Sequence, residues 1–223
     1  MHHWPTPADE AERLAQLPHY RLLGAQPDPI FNAIAESAAL SYQVPIGAIS
    51  LVGERDTWLV SREGLDITSV PRENSFCAHT IALRGPFVVP DATKDARFKD
   101  NPLVTADAGI RFYAGQPIIN DAGVALGALC LIDTNPHPEI ANGKLELLGR
   151  LAKLVARQFD HRRDLRLQNA ISGFTKSSGV AIVTTDGTGA ISFWNAAAER
   201  MFGHSFKDVE GEDISVIIPH RFR

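Results

Sequence analysis

Apolar residues repeat at helical spacing near the start of the chain. The segment DPIFNAIAESAALSYQ places five of them three or four positions apart, which predicts one buried helix face: Ile30, Phe31, Ile34, Ala38 and Tyr42. Asp28 is a suitable N-cap and Pro29 suits the first helical position. Pro45 is expected to end the helix, because proline cannot continue a helix interior.

Short apolar runs separated by polar turns follow. IGAISLV and TWLVS predict a hairpin across the turn GERD, and FVV predicts a short strand. RFYAGQPII and VALGALCLI predict a second hairpin, since Asn120, Asp121 and Gly123 suit its turn. Hairpin-linked strands with helices at both ends indicate an α+β domain with an antiparallel sheet.

A long helical pattern extends from about Gly143 to Ile171. Its apolar positions fit a coiled-coil seam, and continuing that seam gives mostly polar positions: Leu148, Leu151, Val155, Gln158, Arg162, Leu165 and Asn169. An ordinary amphipathic helix with one face on its own domain fits equally well. A polar seam would make a weak helix pair with two registers close in energy, so the choice affects any signalling mechanism.

The pattern restarts after Gly173. VAIVTTDGTGAISFWN predicts a hairpin, and NAAAERMFG predicts a short helix capped by Asn195 and ended by Gly203. Only about fifty residues follow the long helix, too few to bury much core alone, so this unit is expected to be incomplete. The predicted domains are an N-terminal extension (1–19), a core domain (20–142), a connecting helix (143–172) and a partial domain (173–223).

Composition narrows the class of protein. The 223 residues are 44% hydrophobic and 22% charged, as in globular proteins, and the net charge of −4 gives no nucleic-acid signature. The sequence has no apolar run of about 18 residues and no secretory signal pattern, so neither membrane spanning nor export is expected. We therefore expect a cytoplasmic protein with reduced thiols.

Six ordered blocks of the chain resemble a GAF domain of the bacterial signalling type. They cover about residues 20–160: VPIGAISLV, TWLVSREGLD, PRENSFCAHTI, VVPDATKDARFKDNPLV, IRFYAGQPI and LGALCLIDTNP. The later segment AIVTTDGTGAISFWNAAAERMFGHSFKDVEGEDISVIIP resembles the first half of a PAS domain. The resemblance implies a GAF-like antiparallel sheet flanked by helices, a long connecting helix and an incomplete PAS-like α/β unit.

This resemblance implies the input region of a signalling protein rather than an enzyme. Its output would be a histidine kinase or a cyclic-dinucleotide enzyme, and its input an unidentified small molecule. A homodimer through the 143–172 helix would relay a change in helix packing. No particular cofactor is implied, and neither nucleic acid nor membrane is an expected partner.

The stretch SFCAH contains a cysteine and a histidine that invite a joint chemical role. Asn74 or Ser75 is a cap candidate and Gly85 a natural stop, so residues 76–84 predict about two helical turns. The buried stripe is expected to contain Phe76, Cys77, Thr80, Ile81 and Leu83. His79 is rotated from Cys77 by about 200°, so the two side chains cannot share a metal ion or act as base and nucleophile.

Two functional alternatives for Cys77 come from related families. Phytochrome-like GAF domains attach a linear tetrapyrrole to a cysteine in a comparable region, but there a histidine follows directly, whereas here Ala78 intervenes. A GAF-type methionine sulfoxide reductase would require several cysteines for thiol exchange. Cys130 lies in an apolar strand and is expected to be structural, which leaves Cys77 without a resolving partner.

The resemblance also predicts a ligand pocket between the sheet and its loops. The expected ligand-binding residues are His79, Asp91, Phe98, Arg111, Tyr113 and Cys77. The long loop that contains Asp91 and Phe98 is of a length often found at functional sites. No catalytic residue is predicted, and the scattered histidines show no spacing typical of a metal site.

Overall fold

The computed structural model describes residues 4–20, 22, 28–63, 67–107, 109–137, 142–177 and 179–218, with the backbone alone at residues 63, 142 and 169–177. The chain divides into two compact units, and the boundary lies between residues 163 and 164. This division falls within the long helix, ahead of the predicted partial domain.

The first unit is built around an antiparallel sheet in the order β3-β2-β1-β6-β5-β4. Its strands are β1 (Ile46–Val52), β2 (Asp56–Glu63), β3 (Ser69–Pro71), β4 (Phe87–Val89), β5 (Phe112–Ile119) and β6 (Ala125–Asp133). Both predicted hairpins are confirmed as antiparallel pairs. Among the described strands of this sheet, β3 was not predicted, because Ser69–Pro71 is neither an apolar run like β4 nor long enough to alternate.

In the described part of the chain, four α-helices precede the connecting helix: α1 (Glu10–Tyr20), α2 (Pro29–Tyr42), α3 (Phe76–Leu83) and α4 (Pro102–Thr105). The predicted cap of α2 is confirmed, since the Asp28 carboxylate accepts hydrogen bonds from the backbone N–H groups of Ile30 and Phe31. The Ile30 side chain is 49% exposed, although its spacing predicted burial. Helix α1 lies in the predicted N-terminal extension and contributes Leu17 and Tyr20 to the main core.

The two faces of the sheet have separate cores because side chains alternate along each strand. On β6, Leu129 and Leu131 point to the face covered by α1, α2 and the connecting helix, here called the helix-covered face. Ala128 and Cys130 point to the opposite face, which α3 covers together with the loop containing α4. We call this second side the cavity face.

The connecting helix is α5 (Asn142–Ser177). Leu148 and Val155 are fully buried in the core of the helix-covered face, so the coiled-coil seam predicted through them is wrong over this part of the helix. Arg162, another seam position, forms an ion pair with Asp28. The alternative, an amphipathic helix packed on its own domain, is the arrangement found. Asn169 lies outside the side chains that the structure describes.

The second unit contains β7 (Val183–Thr185), β8 (Ile191–Trp194), α6 (Ala196–Phe202) and α7 (Phe206–Val209). The predicted hairpin is confirmed, and Asn195 caps α6 by accepting a hydrogen bond from the Ala198 N–H. Gly203 ends α6 with a positive φ of 78°, the left-handed conformation that glycine adopts most easily. Ile191 and Trp194 belong to its small core. The α+β class predicted from the sequence is therefore confirmed.

Candidate functional site

A cavity of about 230 Å³ lies on the cavity face of the first unit. We call it the sheet cavity. Its walls come from β1, β2, β3, β5 and β6 and from the segments around α3 and α4, and its lining is mostly apolar: Ile46, Thr57, Leu59, Ile67, Val70, Ser75, Phe76, Cys77, Pro102, Leu103, Ala106, Ile110, Tyr113, Cys130, Ile132 and Thr134. Ile67, Pro102 and Ala106 are exposed and form its rim.

Two hydroxyl groups in this lining make no hydrogen bond of normal geometry with the described residues, although one of them, Ser75, lies near enough to Cys77 to help lower its pKa. They are Thr57 Oγ1 and Ser75 Oγ, and both side chains are buried. A buried polar group without a partner costs free energy, and natural proteins leave few of them. The sheet cavity is therefore apolar in general but offers two hydroxyls that a bound molecule can satisfy.

Helix α3 brings Cys77 to the wall of the sheet cavity. Ser75 is the N-cap residue of α3, and Cys77 lies in the first turn of this helix. The Cys77 side chain points toward β6 and is 6% exposed. Its Sγ lies 3.8 Å from the Sγ of Cys130 and accepts a hydrogen bond from the Tyr113 hydroxyl at 3.4 Å. The expectation that Cys77 has no thiol partner is therefore wrong. Leu83, predicted in the same buried stripe, is 59% exposed.

The pKa values of this cluster move in opposite directions. The adjacent Cys130 side chain lowers the pKa of Cys77 against the effect of burial, and the Tyr113 hydroxyl acts in the same direction. The contact with Cys77 and burial raise the pKa of Cys130 well above its ordinary value. Burial raises the pKa of Tyr113 as well, so that its hydroxyl stays protonated as a donor. Cys77 is thus the more acidic thiol of the pair.

Gly115 makes room for this arrangement on β5. A Cβ atom at this position would lie 2.3 Å from the Tyr113 hydroxyl oxygen and 2.8 Å from the Thr80 Oγ1. The Tyr113 and Thr80 oxygens are 2.8 Å apart and hydrogen-bonded to each other. A side chain at residue 115 would therefore displace the group that donates to Cys77.

His79 lies on the cavity face but is absent from the lining of the sheet cavity. Its ring stacks on Phe87 at 5.7 Å and meets the edge of Phe98 at 4.8 Å between centroids. Desolvation and the nearby Arg97 lower the pKa of His79 to about 4, although Asp95 opposes the shift. The imidazole is consequently neutral at physiological pH. The prediction that His79 points away from Cys77 agrees with this position.

The remaining predicted ligand residues lie around the sheet cavity rather than in it. Asp91 pairs with Lys94 at 2.8 Å, and Phe98 is buried against Phe76 with ring centroids 3.9 Å apart. Arg111 donates a hydrogen bond to the Val104 carbonyl at 2.7 Å. Of the six predicted residues, the structure brings Cys77 and Tyr113 into the lining. Contact of any of the six with a ligand stays a prediction.

Sequence reasoning missed Thr57 and Ser75 as candidate site residues. The sequence does not show how β2 pairs with β1, and so it does not show that Thr57 faces the cavity. Ser75 fits the pattern of a helix cap, which gives no indication of a second role. Across the described residues, no group of three or more His, Cys, Asp or Glu is placed to hold a metal ion. None of the described helices combines the length and apolar character needed to cross a bilayer.

Comparison with known protein families matches both parts of the chain. Residues 26–159 match the GAF domain, and residues 166–222 match the PAS fold. Over 151 residues the chain is 41% identical to a cyclic di-GMP phosphodiesterase of Pseudomonas aeruginosa. That alignment covers 68% of this chain and 26% of the relative, so the chain spans about a quarter of the relative's length.

Solved structures share the fold at low sequence identity. The GAF domain of a phosphoenolpyruvate-protein phosphotransferase from Coxiella burnetii has a TM-score of 0.53 at 16% identity, and the match covers 70% of this chain and 96% of that structure. A free methionine-R-sulfoxide reductase from Neisseria meningitidis has a TM-score of 0.51 at 20% identity, covering 74% and 99%. Identities this low support a common architecture and nothing about ligand or activity.

Proposed function

Because the chain belongs to the GAF domain family and continues into a PAS fold, we propose that it is the sensory region of a signal-transduction protein that binds a small molecule in the sheet cavity. The observation that carries this proposal is an apolar cavity with two buried hydroxyls, Thr57 and Ser75, that lack partners. Ligand sites typically combine apolar walls with a few polar groups that fix orientation.

The size of the sheet cavity limits the ligand class. A cavity of about 150 Å³ holds benzene, so about 230 Å³ suits a compound of one ring that carries a carbonyl, hydroxyl or carboxyl group. A four-ring tetrapyrrole is too large for this space. The volume therefore favours a small metabolite over the pigment that the resemblance left open for Cys77.

Ligand entry can be tested at the rim. A set of one-ring phenols and aromatic acids is screened by thermal shift, and hits are measured by calorimetry. Ala106→Trp, at an exposed position of the lining, is expected to occupy part of the ligand space, weaken binding and so lower the thermal shift. Thr105→Trp is the matched control, because Thr105 is the exposed neighbouring residue at the end of α4 and does not line the cavity. Equal loss in both variants, or no hit in native mass spectrometry or calorimetry, would contradict the proposal.

We propose that β6 transmits the effect of ligand binding from the sheet cavity to α5. Cys130 and Ile132 line the sheet cavity, while Leu129 and Leu131 of the same strand belong to the core that contains Leu148 of α5. A ligand that binds one position of β6 more tightly than another would increase the population of the α5 arrangement that goes with that position. The Pseudomonas relative is named a cyclic di-GMP phosphodiesterase. We propose that the sensory region described here controls an enzyme of the same kind.

We propose a homodimer as the form that transmits this change, through a stripe of α5 different from the seam first predicted. Leu147 and Leu154 are 39% and 43% exposed and lie seven residues apart, which places them on one side of α5. Leu154→Glu is expected to produce monomers in sedimentation velocity. Lys153→Glu changes an adjacent exposed residue and should leave the dimer intact. A monomeric wild-type chain would remove this part of the proposal.

A further inference from the structure

The two cysteines of the chain form a close pair although 53 residues separate them in sequence. Cys77 lies in the first turn of α3 and Cys130 near the middle of β6, and both are buried beside the sheet cavity. Their sulfurs are 3.8 Å apart, whereas a disulfide requires about 2.05 Å. Formation of the bond therefore requires the two sulfurs to move about 1.8 Å closer together.

The surroundings distinguish the two thiols chemically. Cys77 accepts a hydrogen bond from the Tyr113 hydroxyl, which favours its thiolate form. Cys130 lies 3.5 Å from the Ala48 carbonyl oxygen, an acceptor that favours the protonated thiol. The thiolate is the form that attacks an oxidant, so Cys77 is the nucleophile and Cys130 the resolving thiol.

We propose that Cys77 and Cys130 are a reversible redox pair that responds to a small hydroperoxide entering the sheet cavity. The Cys77 thiolate attacks the terminal peroxide oxygen, the O–O bond breaks, and the leaving oxygen takes a proton to give an alcohol or water. Cys130 then attacks the Cys77 sulfenic acid, the S–O bond breaks and water leaves. Two thiols and one hydroperoxide thus give one disulfide, one alcohol (or water) and one water, and a small dithiol reverses the change by exchange.

The sheet cavity provides a route for the peroxide to the thiols, and its wall would change shape when the disulfide forms. Both cysteines belong to the lining, and Cys77, at 6% exposed against 1% for Cys130, is the one more open to a molecule of the size of hydrogen peroxide. A disulfide would fix α3 to β6 and change the shape of the cavity wall. The thiol chemistry itself is independent of the proposed ligand, since it requires only the peroxide and the folded pair.

The test uses the reduced full chain and hydrogen peroxide, with remaining thiols blocked by a maleimide under denaturing conditions. The expected product is a monomer that has lost both free thiols and two hydrogens, with a mapped link between residues 77 and 130 that dithiothreitol reverses. The same chain unfolded in urea should form this link more slowly, because the thiols are then no longer held together. No ligand is present, so failure here leaves the ligand proposal unaffected.

Variants assign the two roles. Cys130→Ser is expected to stop at a sulfenic acid on Cys77 that a dimedone reagent traps, while Cys77→Ser should leave Cys130 unreacted. Tyr113→Phe should slow the first step, because the donor to the Cys77 sulfur is lost. The proposal is overturned if the wild-type chain keeps both thiols, forms only links between chains, or proceeds to sulfinic acid without an internal disulfide. Those wild-type outcomes decide the question even if a variant fails to fold.

Discussion

The two faces of the sheet differ in how they are covered, although the same strands supply both. The helix-covered face packs large side chains of α1, α2 and α5, including Phe31 and Phe159 in an edge-to-face contact at 5.0 Å. The cavity face is covered by one two-turn helix and a loop, and it retains about 230 Å³ of space. One face thus supplies stability, and the other retains unpartnered hydroxyls and reactive thiols at a cost in stability.

The largest expected contrast comes from adjacent residues of β6 that point to opposite faces. Leu131→Ala on the helix-covered face should reduce the free energy of unfolding by about 3–5 kcal/mol, because the surrounding core cannot collapse into the void. Ile132→Ala, at a half-buried position in the cavity lining, should cost about 1–2 kcal/mol. Urea unfolding measures both. Equal losses would show that the two faces are equally well packed.

The sequence predicted those features of this comparison that depend on local pattern. The α2 cap at Asp28 and both hairpins follow from turn and capping residues close in sequence. The proximity of Cys77 to Cys130 could not be predicted, because it depends on the β1–β6–β5 register and on the position of α3. The apolar repeat through Leu148 and Val155 is expected both for a coiled coil between two chains and for a helix packed on its own domain. Periodicity alone therefore could not show that these residues belong to the core of their own domain.

A buried charge cluster attaches α1 to the first unit and provides the second test. Glu10 pairs with Arg13 at 2.8 Å and with Arg72 at 2.5 Å, and both arginines are buried. Glu10→Gln leaves both guanidinium groups without their carboxylate and should cost about 2–3 kcal/mol, less than for a fully buried pair because Glu10 is partly exposed. Glu12→Gln, an exposed neighbour on α1, is the control and should change little.

The same cluster predicts a dependence on pH. Burial by itself raises the pKa of Glu10, but the hydrogen bonds from Arg13 and Arg72 lower it to about 2, from 4.5 when unfolded. Its stabilising contribution is therefore complete above about pH 4.5 and is lost as the pH falls toward about 2. The difference in unfolding free energy between wild type and Glu10→Gln should shrink over this range. A constant difference would contradict the assignment.

On the cavity face, one substitution is expected to stabilise the protein. Thr57→Val replaces a buried hydroxyl without a partner by a methyl group of similar shape, so the free chain should gain about 1 kcal/mol. Thr57→Ser keeps a hydroxyl and is the control, with no gain expected. Thr57→Val should also weaken binding of any hydroxyl-bearing or carbonyl-bearing ligand. A loss of stability instead would show that the hydroxyl already has a partner in the free chain.

The smallest predicted effect concerns His79, which lies on the cavity face outside the sheet cavity. Desolvation and Arg97 lower its pKa to about 4 from 6.5, so between these values the unfolded chain binds a proton that the folded chain does not. Its contribution to stability is complete above about pH 6.5 and is lost as the pH falls toward about 4. Because the ring is only half-buried, solvent screening should keep this below about 1 kcal/mol.

His79→Gln should flatten the decline in unfolding free energy between about pH 6.5 and pH 5, whatever its effect at neutral pH. His19→Gln, at an exposed position on α1, is the matched control for the loss of an imidazole. An unchanged slope in His79→Gln would mean that water reaches the ring between Phe87 and Phe98. The cavity face would then be open beyond the sheet cavity, and the contrast between the two faces would be larger than the packing indicates.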